Sequence, residues 1–260
     1  MYSRPSQAAL VEARCYYGGD ESDVMGQVKA DRDRGGRQAS YLATWTVLAS
    51  GFLAVLVGGS AISLVREQLH VQCEMGPPGS EGTGTWMCSD GIGYLGGTVT
   101  FGGMWIVATV VGSLVAGLVR RPRVVHRFLV VLACAATVWI LWWTWYGANE
   151  LVGDRFAPIG GPEYWQIAVG SAAIVSSAGC AAAVFSLLLP SRFAPLLCGG
   201  AASCLIIATL FQPGLGINIV PAAGLLAAAA IHARGVTSPP LNSLCGTTTR
   251  TESEQVSGRP

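Results

Sequence analysis

Charged residues are scarce in this 260-residue sequence, in which Asp, Glu, Lys and Arg together make up 12% of the chain. A soluble domain carries about twice that share, because charged side chains cover much of its wetted surface. The shortage excludes an ordinary soluble globular protein of this size. Sixteen basic and 15 acidic residues nearly balance, with a net charge of +1, and give no reason to expect nucleic acid binding.

Catalytic and cofactor-binding motifs are also missing. The sequence has no phosphate-binding glycine loop, no nucleophile elbow, no H-E-x-x-H and no C-x-x-C. An enzyme would have to use acids in the loops, and nothing in the sequence arranges them as an acid and base pair: Glu74, Asp90, Glu150, Asp154 and Glu163. We therefore predict a protein that is not an enzyme and that holds no cofactor or metal.

Long runs without any charge are the main positive feature. A helix needs about 20 apolar residues to cross the hydrocarbon core of a bilayer, and each run is long enough. Buried helices of soluble proteins are usually shorter and amphipathic, whereas these runs are apolar all round. The first four runs predict spans over Tyr41 to Val65, Tyr94 to Val119, Phe128 to Tyr146 and Ile167 to Leu189.

The last charge-free run, Phe193 to Ala233, has 41 residues, which is too long for one span. The segment from Phe211 to Gly216 contains a proline and two glycines, which favour a reversal of the chain. This predicts a fifth span over Pro195 to Phe211 and a sixth over Leu215 to Ala233. The fifth is short, so a re-entrant hairpin is the alternative. The predicted fold is all-α, a polytopic integral membrane bundle of six transmembrane helices, with five as the alternative count.

Basic residues indicate the orientation, since they collect on the cytoplasmic side of short loops. With both termini in the cytoplasm, 14 basic residues lie inside and two, Arg66 and Arg155, lie outside. The strongest topology anchors are four arginines in one eight-residue segment: Arg120, Arg121, Arg123 and Arg127. We expect a multi-pass protein of a cell membrane, specifically a bacterial cytoplasmic membrane. The excess of arginine over lysine indicates a GC-rich genome.

Three regions follow from this topology. Residues 1–40 mix acids and bases, and residues 234–260 are rich in Ser, Thr, Gly and Pro, so both are predicted to be disordered cytoplasmic tails. Residues 41–233 form the transmembrane domain. An external loop, residues 66–93, connects its first two spans.

Two cysteines, Cys73 and Cys88, lie in that external loop, where disulfides form and persist. A bridge between them would stabilise the closed loop by roughly 3 kcal/mol in the chain-entropy model. Metal binding is a weaker interpretation, because the spacing matches no common zinc site. A catalytic dithiol is weaker still, because such pairs usually occur as C-x-x-C. The remaining cysteines in the spans are expected to act as small apolar residues.

Polar features inside the spans are mild. Asn218 precedes Pro221 by three residues in the sixth span, and a kink there makes this pair candidate cavity-lining residues, although an ordinary kink explains them too. Small residues at four-residue spacing favour close helix approach within the chain or between copies of it. Two such pairs are Gly112 with Ala116 and Gly179 with Ala183.

Two functions remain after these exclusions. The first is a non-enzymatic membrane component that assembles with protein partners, or with further copies of itself, within the lipid bilayer. The second is a permease-like transport subunit, suggested by the span count alone. Coupling of transport to protons is not expected, because no span contains a carboxylate.

Overall fold

The structure is a computed structural model. It describes residues 21–79, 81, 83–88, 95–150, 157–190 and 192–237, and at 21–34, 95–98, 101, 150 and 235–237 it describes the backbone alone. Within these ranges the chain is almost entirely helical, as predicted. The helices are α1 (Glu21–Val57), α2 (Gly59–Ser63), α3 (Leu95–Leu118), α4 (Pro122–Glu150), α5 (Gly161–Leu188), α6 (Ala194–Phe211) and α7 (Gly216–Thr237).

Five of these helices are long and apolar enough to cross a membrane. They are the apolar part of α1, most of α4, and α5, α6 and α7. The second predicted span is helix α3, whose segment Gly102–Leu118 is a shorter apolar stretch. Helix α6 has 18 residues and extends about 27 Å, close to the hydrocarbon thickness, so it is a full-length candidate span. The prediction of an all-α polytopic membrane bundle is confirmed.

Several helices are longer than the charge-free runs from which they were predicted. Helix α4 begins at Pro122, six residues before the predicted start at Phe128, and α5 begins at Gly161 instead of Ile167. Each has a proline in its first turn, where its missing N–H is tolerated. A helix continues beyond the hydrocarbon core into the headgroup region, where charged side chains are solvated. A charge therefore marks the end of the lipid-facing segment and not the end of the helix.

The first predicted span is not one continuous helix, and this part of the prediction is wrong. Helix α1 ends at Val57, and α2 and a π-helical turn, Leu64–Gln68, follow after Gly58. Two adjacent glycines, Gly58 and Gly59, lie at the break, and glycine weakens a helix interior.

Helix α1 starts at Glu21, about twenty residues before the predicted span. Once the apolar part is helical, no new nucleation is needed. Each residue added at its start then contributes one backbone hydrogen bond, which favours extension into the polar segment. Residues 21–40, which were predicted to belong to a disordered tail, are therefore helical. Residues 1–20 and 238–260 lie outside the described residues, and for them the predicted disorder stays a prediction.

Helix α7 is the central element of the unit Ala39–Val236. In its most apolar stretch 83% of the residues are buried, against 22% in α1. Gly224 packs so closely on Ser50 of α1 that a Cβ atom there would overlap the serine side chain, and Gly112 of α3 meets Leu225 in the same way. These contacts explain why most side chains of α7 are small or apolar.

Tryptophan side chains form hydrogen bonds between the helices that surround α7. The indole Nε1–H of Trp105 on α3 donates to the carbonyl of Gly51 on α1 at 2.9 Å. Trp165 on α5 donates to the hydroxyl of Thr144 on α4 at 3.1 Å. An indole has one donor, and these partners satisfy it without any charge. The bundle is therefore joined by neutral hydrogen bonds as well as by apolar packing.

The predicted small-residue contacts form within the chain. Gly112 packs on Leu225 of α7, and Gly179 packs on Ala201 and Cys204 of α6. The spacing thus serves intramolecular packing at these positions. A homo-oligomer stays a prediction and would need another surface.

Candidate functional site

The loop between α2 and α3 contains a two-stranded antiparallel hairpin. Strand β1 (Cys73–Met75) pairs with β2 (Trp86–Cys88), and Cys73 is directly opposite Cys88. Their Sγ atoms are 1.98 Å apart, so the pair forms the disulfide that the sequence favours. The end of the bundle that carries this hairpin is called the hairpin end below, and the end that carries Arg120 to Arg127 is called the arginine end.

The hairpin has two different faces, because successive side chains of a strand point to opposite sides. Cys73 is buried, and Met75, Trp86 and Cys88 on the same face are partly buried. Glu74 and Met87 pair across the strands on the other face, and both are exposed, Met87 by 55%. The outer face therefore presents a carboxylate beside a thioether, and the inner face is directed toward the bundle.

Three rings fix the inner face to the bundle. The His70 imidazole stacks on the Trp86 indole with ring centroids 4.2 Å apart and planes 11° from parallel. Tyr164, in the first turns of α5, meets His70 edge-on at 5.1 Å and Trp86 at 6.1 Å. Such contacts add stabilisation beyond the apolar area that they bury. The hairpin is therefore attached to the bundle by contacts with α5 as well as by its chain connections.

The backbone below the hairpin is turned by two residues with positive φ. His70 has φ of 49° and Gln72 has φ of 59°, in the left-handed region that side chains other than glycine rarely adopt. Strain of this kind persists only where surrounding contacts determine the conformation. The ring cluster on one side and the disulfide on the other supply those contacts.

Burial lowers the pKa of His70 below its ordinary value of 6.5, and interaction with the backbone carbonyl of Arg66 offsets part of this effect. The direction follows from desolvation, which disfavours the charged imidazolium. The ring is therefore neutral at neutral pH. A neutral ring stacks on Trp86 without the cost of removing a charge from water.

A polar contact at the hairpin end involves Gln212, which follows α6 and is 5% exposed. Its Nε2 donates to Gln68 Oε1 at 2.6 Å and to the backbone carbonyl of Ala168 at 2.8 Å. One side chain thus connects the π-helical turn, α5 and the turn between α6 and α7. Gly214 in that turn lies against Leu64, where a Cβ atom would overlap the leucine. The hairpin therefore rises from a rigid base.

The other predicted site residues lie elsewhere. Arg120 and Arg121 are exposed between α3 and α4, and Arg123 and Arg127 are exposed on the first turns of α4. Asn218 and Pro221 are buried within α7, and neither lines the cavity that the structure places at the arginine end. Their assignment to a cavity stays a prediction. The central position of α7 explains their burial.

Sequence reasoning missed the ring cluster and one group of thiols. His70, Trp86 and Tyr164 are distant in the chain, and only the fold brings them together. Cys134 on α4 lies against Cys180 on α5, with its Sγ 3.9 Å from the Cys180 carbonyl oxygen. Among the described residues no three side chains of His, Cys, Asp or Glu are placed to hold a metal ion. These thiols lie between α4 and α5, and their role as small apolar residues stays a prediction.

The fold and the hairpin define a class of protein, a membrane-embedded helix bundle with a disulfide-closed hairpin at one end. No family model, curated protein or solved structure matches this chain. The observations that bear on function are therefore the geometry and chemistry of the hairpin.

Proposed function

We propose that this protein is a non-enzymatic component of a cell membrane that assembles with a protein partner through the outer face of its hairpin. The supporting observation is the hairpin itself, which is closed by a disulfide and fixed to the bundle by the rings of His70, Trp86 and Tyr164. A surface ordered before binding loses less conformational entropy when a partner binds. A loop that only connects two helices would need neither the disulfide nor the ring contacts.

The chemistry of the outer face indicates what the partner must offer. Glu74 and Met87 lie side by side, and Glu81 is also exposed near the turn. The described part of the hairpin, residues 73–79, 81 and 83–88, contains no lysine or arginine. A partner with a basic side chain beside an apolar pocket would complement this face, since Met adapts to irregular apolar surfaces.

The packing of the bundle gives no support to the permease alternative. Gly224 on Ser50 and Gly112 on Leu225 fill the space around α7. The buried polar side chains among the described residues include no Asp, Glu, Lys or Arg. Ion and proton pathways usually depend on such groups within the membrane. The orientation proposed here, with the hairpin outside and the arginine end in the cytoplasm, follows from the distribution of basic residues.

A photoreactive residue at Met87 tests this proposal in intact membranes. We expect illumination to give a discrete protein adduct, because this side chain is 55% exposed on the proposed binding face. The matched control is the same residue at Leu196, which is 72% exposed on α6, outside the hairpin. That position is expected to give lipid adducts. Absence of a protein adduct at 87, or the same adduct from both positions, would contradict a binding role for the hairpin.

A further inference from the structure

The arginine end contains a cavity of about 180 Å³, formed where α4 and α6 begin and α5 and α7 end. Its polar lining consists of Arg123, Arg127, His126 and Ser186. Leu187 and Leu189 provide much of its apolar wall. A volume of this size holds a small polar group such as a phosphate, but it is too small for a drug-sized molecule.

The charged side chains among the described residues that line the cavity are both positive. Arg123 and Arg127 are four residues apart, so they lie on the same face of α4. No acidic side chain lines the cavity, and within the described part of the chain neither arginine makes an ion pair or a hydrogen bond. The dipoles of two helix starts and two helix ends meet here and largely offset one another. The two guanidinium groups therefore determine the sign of the electrostatic potential in the cavity.

The inner wall of the cavity is polar, and its side chains contact one another and the backbone. Ser186 is 3% exposed, and its hydroxyl donates to the carbonyl of Ala183 at 2.6 Å. His126 Nδ1 is 3.3 Å from the carbonyl of Ala229, and its Nε2 is 3.5 Å from the Ser186 oxygen. Ser186 Oγ is also 3.3 Å from Cys198 Sγ. These contacts hold the polar inner wall in place behind the two arginines.

We propose that this cavity binds a phosphate group at the membrane surface, and that its source is the headgroup of an anionic phospholipid. Arginine forks bind phosphate through paired hydrogen bonds, and long basic side chains reach the headgroup level from a helix near the interface. Leu187 and Leu189 form an apolar edge beside the arginines, along which an acyl chain can lie. Basic pockets between transmembrane helices are suited to such headgroups. A free phosphate ion shares this chemistry and is the other source to test.

Lipid binding by the full-length protein tests the proposal. The protein is placed in nanodiscs of phosphatidylcholine alone or with phosphatidylglycerol, and bound lipids are counted by native mass spectrometry after release. The test variant is Arg123→Gln with Arg127→Gln. The matched control is Arg120→Gln with Arg121→Gln, which removes the same charge from exposed positions that do not line the cavity.

We expect wild type and control to retain phosphatidylglycerol in preference to phosphatidylcholine, and the test variant to lose about tenfold or more of that preference. Glycerol phosphate added to phosphatidylcholine nanodiscs forms the second arm. If it raises the melting temperature of the wild type but not of the test variant, and no lipid is retained, the bound phosphate is a soluble one. Equal losses in both double variants would show a general surface-charge effect and overturn the proposal. The proposal would also be overturned if the wild type neither retained phosphatidylglycerol preferentially nor was stabilised by glycerol phosphate.

Discussion

Replacement of Cys73 and Cys88 together by serine is expected to destabilise the hairpin by roughly 3 kcal/mol while the helices remain folded. The disulfide closes a loop with a sequence separation of 15 residues, and the two strands are only three residues long. A short isolated hairpin is marginally stable at best in water, so most of its order depends on the bridge and the ring cluster. The change is measured as the rate of proteolysis between the strands and as the circular dichroism of the helices.

The matched control for this variant is serine at both Cys180 and Cys204, which are free thiols in helices. It changes the same number of cysteines and should leave the hairpin resistant to protease. If the hairpin of the double serine variant at 73 and 88 resists protease as well as the wild type does, the bridge does not order it. The proposed recognition surface would then lose its main support.

Substitution of Gly224 by alanine is expected to destabilise the bundle by about 1–3 kcal/mol, because the new Cβ would overlap Ser50 in a packed interior. The measurement is thermal unfolding in detergent. Gly200 on α6 has open space where a Cβ would lie, so Gly200→Ala is a matched control and should be neutral or slightly stabilising.

A second variant identifies the contact behind the effect. Ser50→Gly combined with Gly224→Ala should recover part of the lost stability, since the overlapping atoms are removed. A Gly224→Ala protein as stable as the wild type would mean that α7 is not packed against α1 as described. Without that packing the centre of the bundle could hold a pathway, and the permease alternative would regain support.

Most of the helix bundle could be predicted from the sequence because lipid imposes a simple requirement on composition. A segment in the hydrocarbon core must be apolar and must satisfy its backbone hydrogen bonds internally, so charge-free runs mark helices. The exact bounds could not be predicted in the same way. Pro122 and Gly161 begin helices within headgroup-level segments, where charge is allowed, and the break at Gly58 reflects local backbone preferences that hydropathy does not measure.

The candidate site could be predicted only in part. The pairing of Cys73 with Cys88 followed from their shared loop and compartment, which are properties of the sequence. The docking of the hairpin could not be predicted, since His70 and Tyr164 are 94 residues apart and their contact depends on the position of α5 relative to the loop. The same reason applies to Ser186 and His126, which are 60 residues apart and meet only at the arginine end. Asn218 was predicted as a candidate cavity residue because it is polar and near a proline. Its burial depends on the helices around α7, which the sequence of α7 alone does not show.

The most direct test of the whole account is the sidedness of the hairpin in intact cells. An epitope inserted after Gly79, at the exposed turn, is compared with the same epitope added after Pro260. We expect antibody to bind the first on intact cells and to bind the second only after permeabilisation. Binding of the C-terminal epitope on intact cells, with the hairpin epitope protected, would contradict both the external recognition surface and the cytoplasmic arginine end.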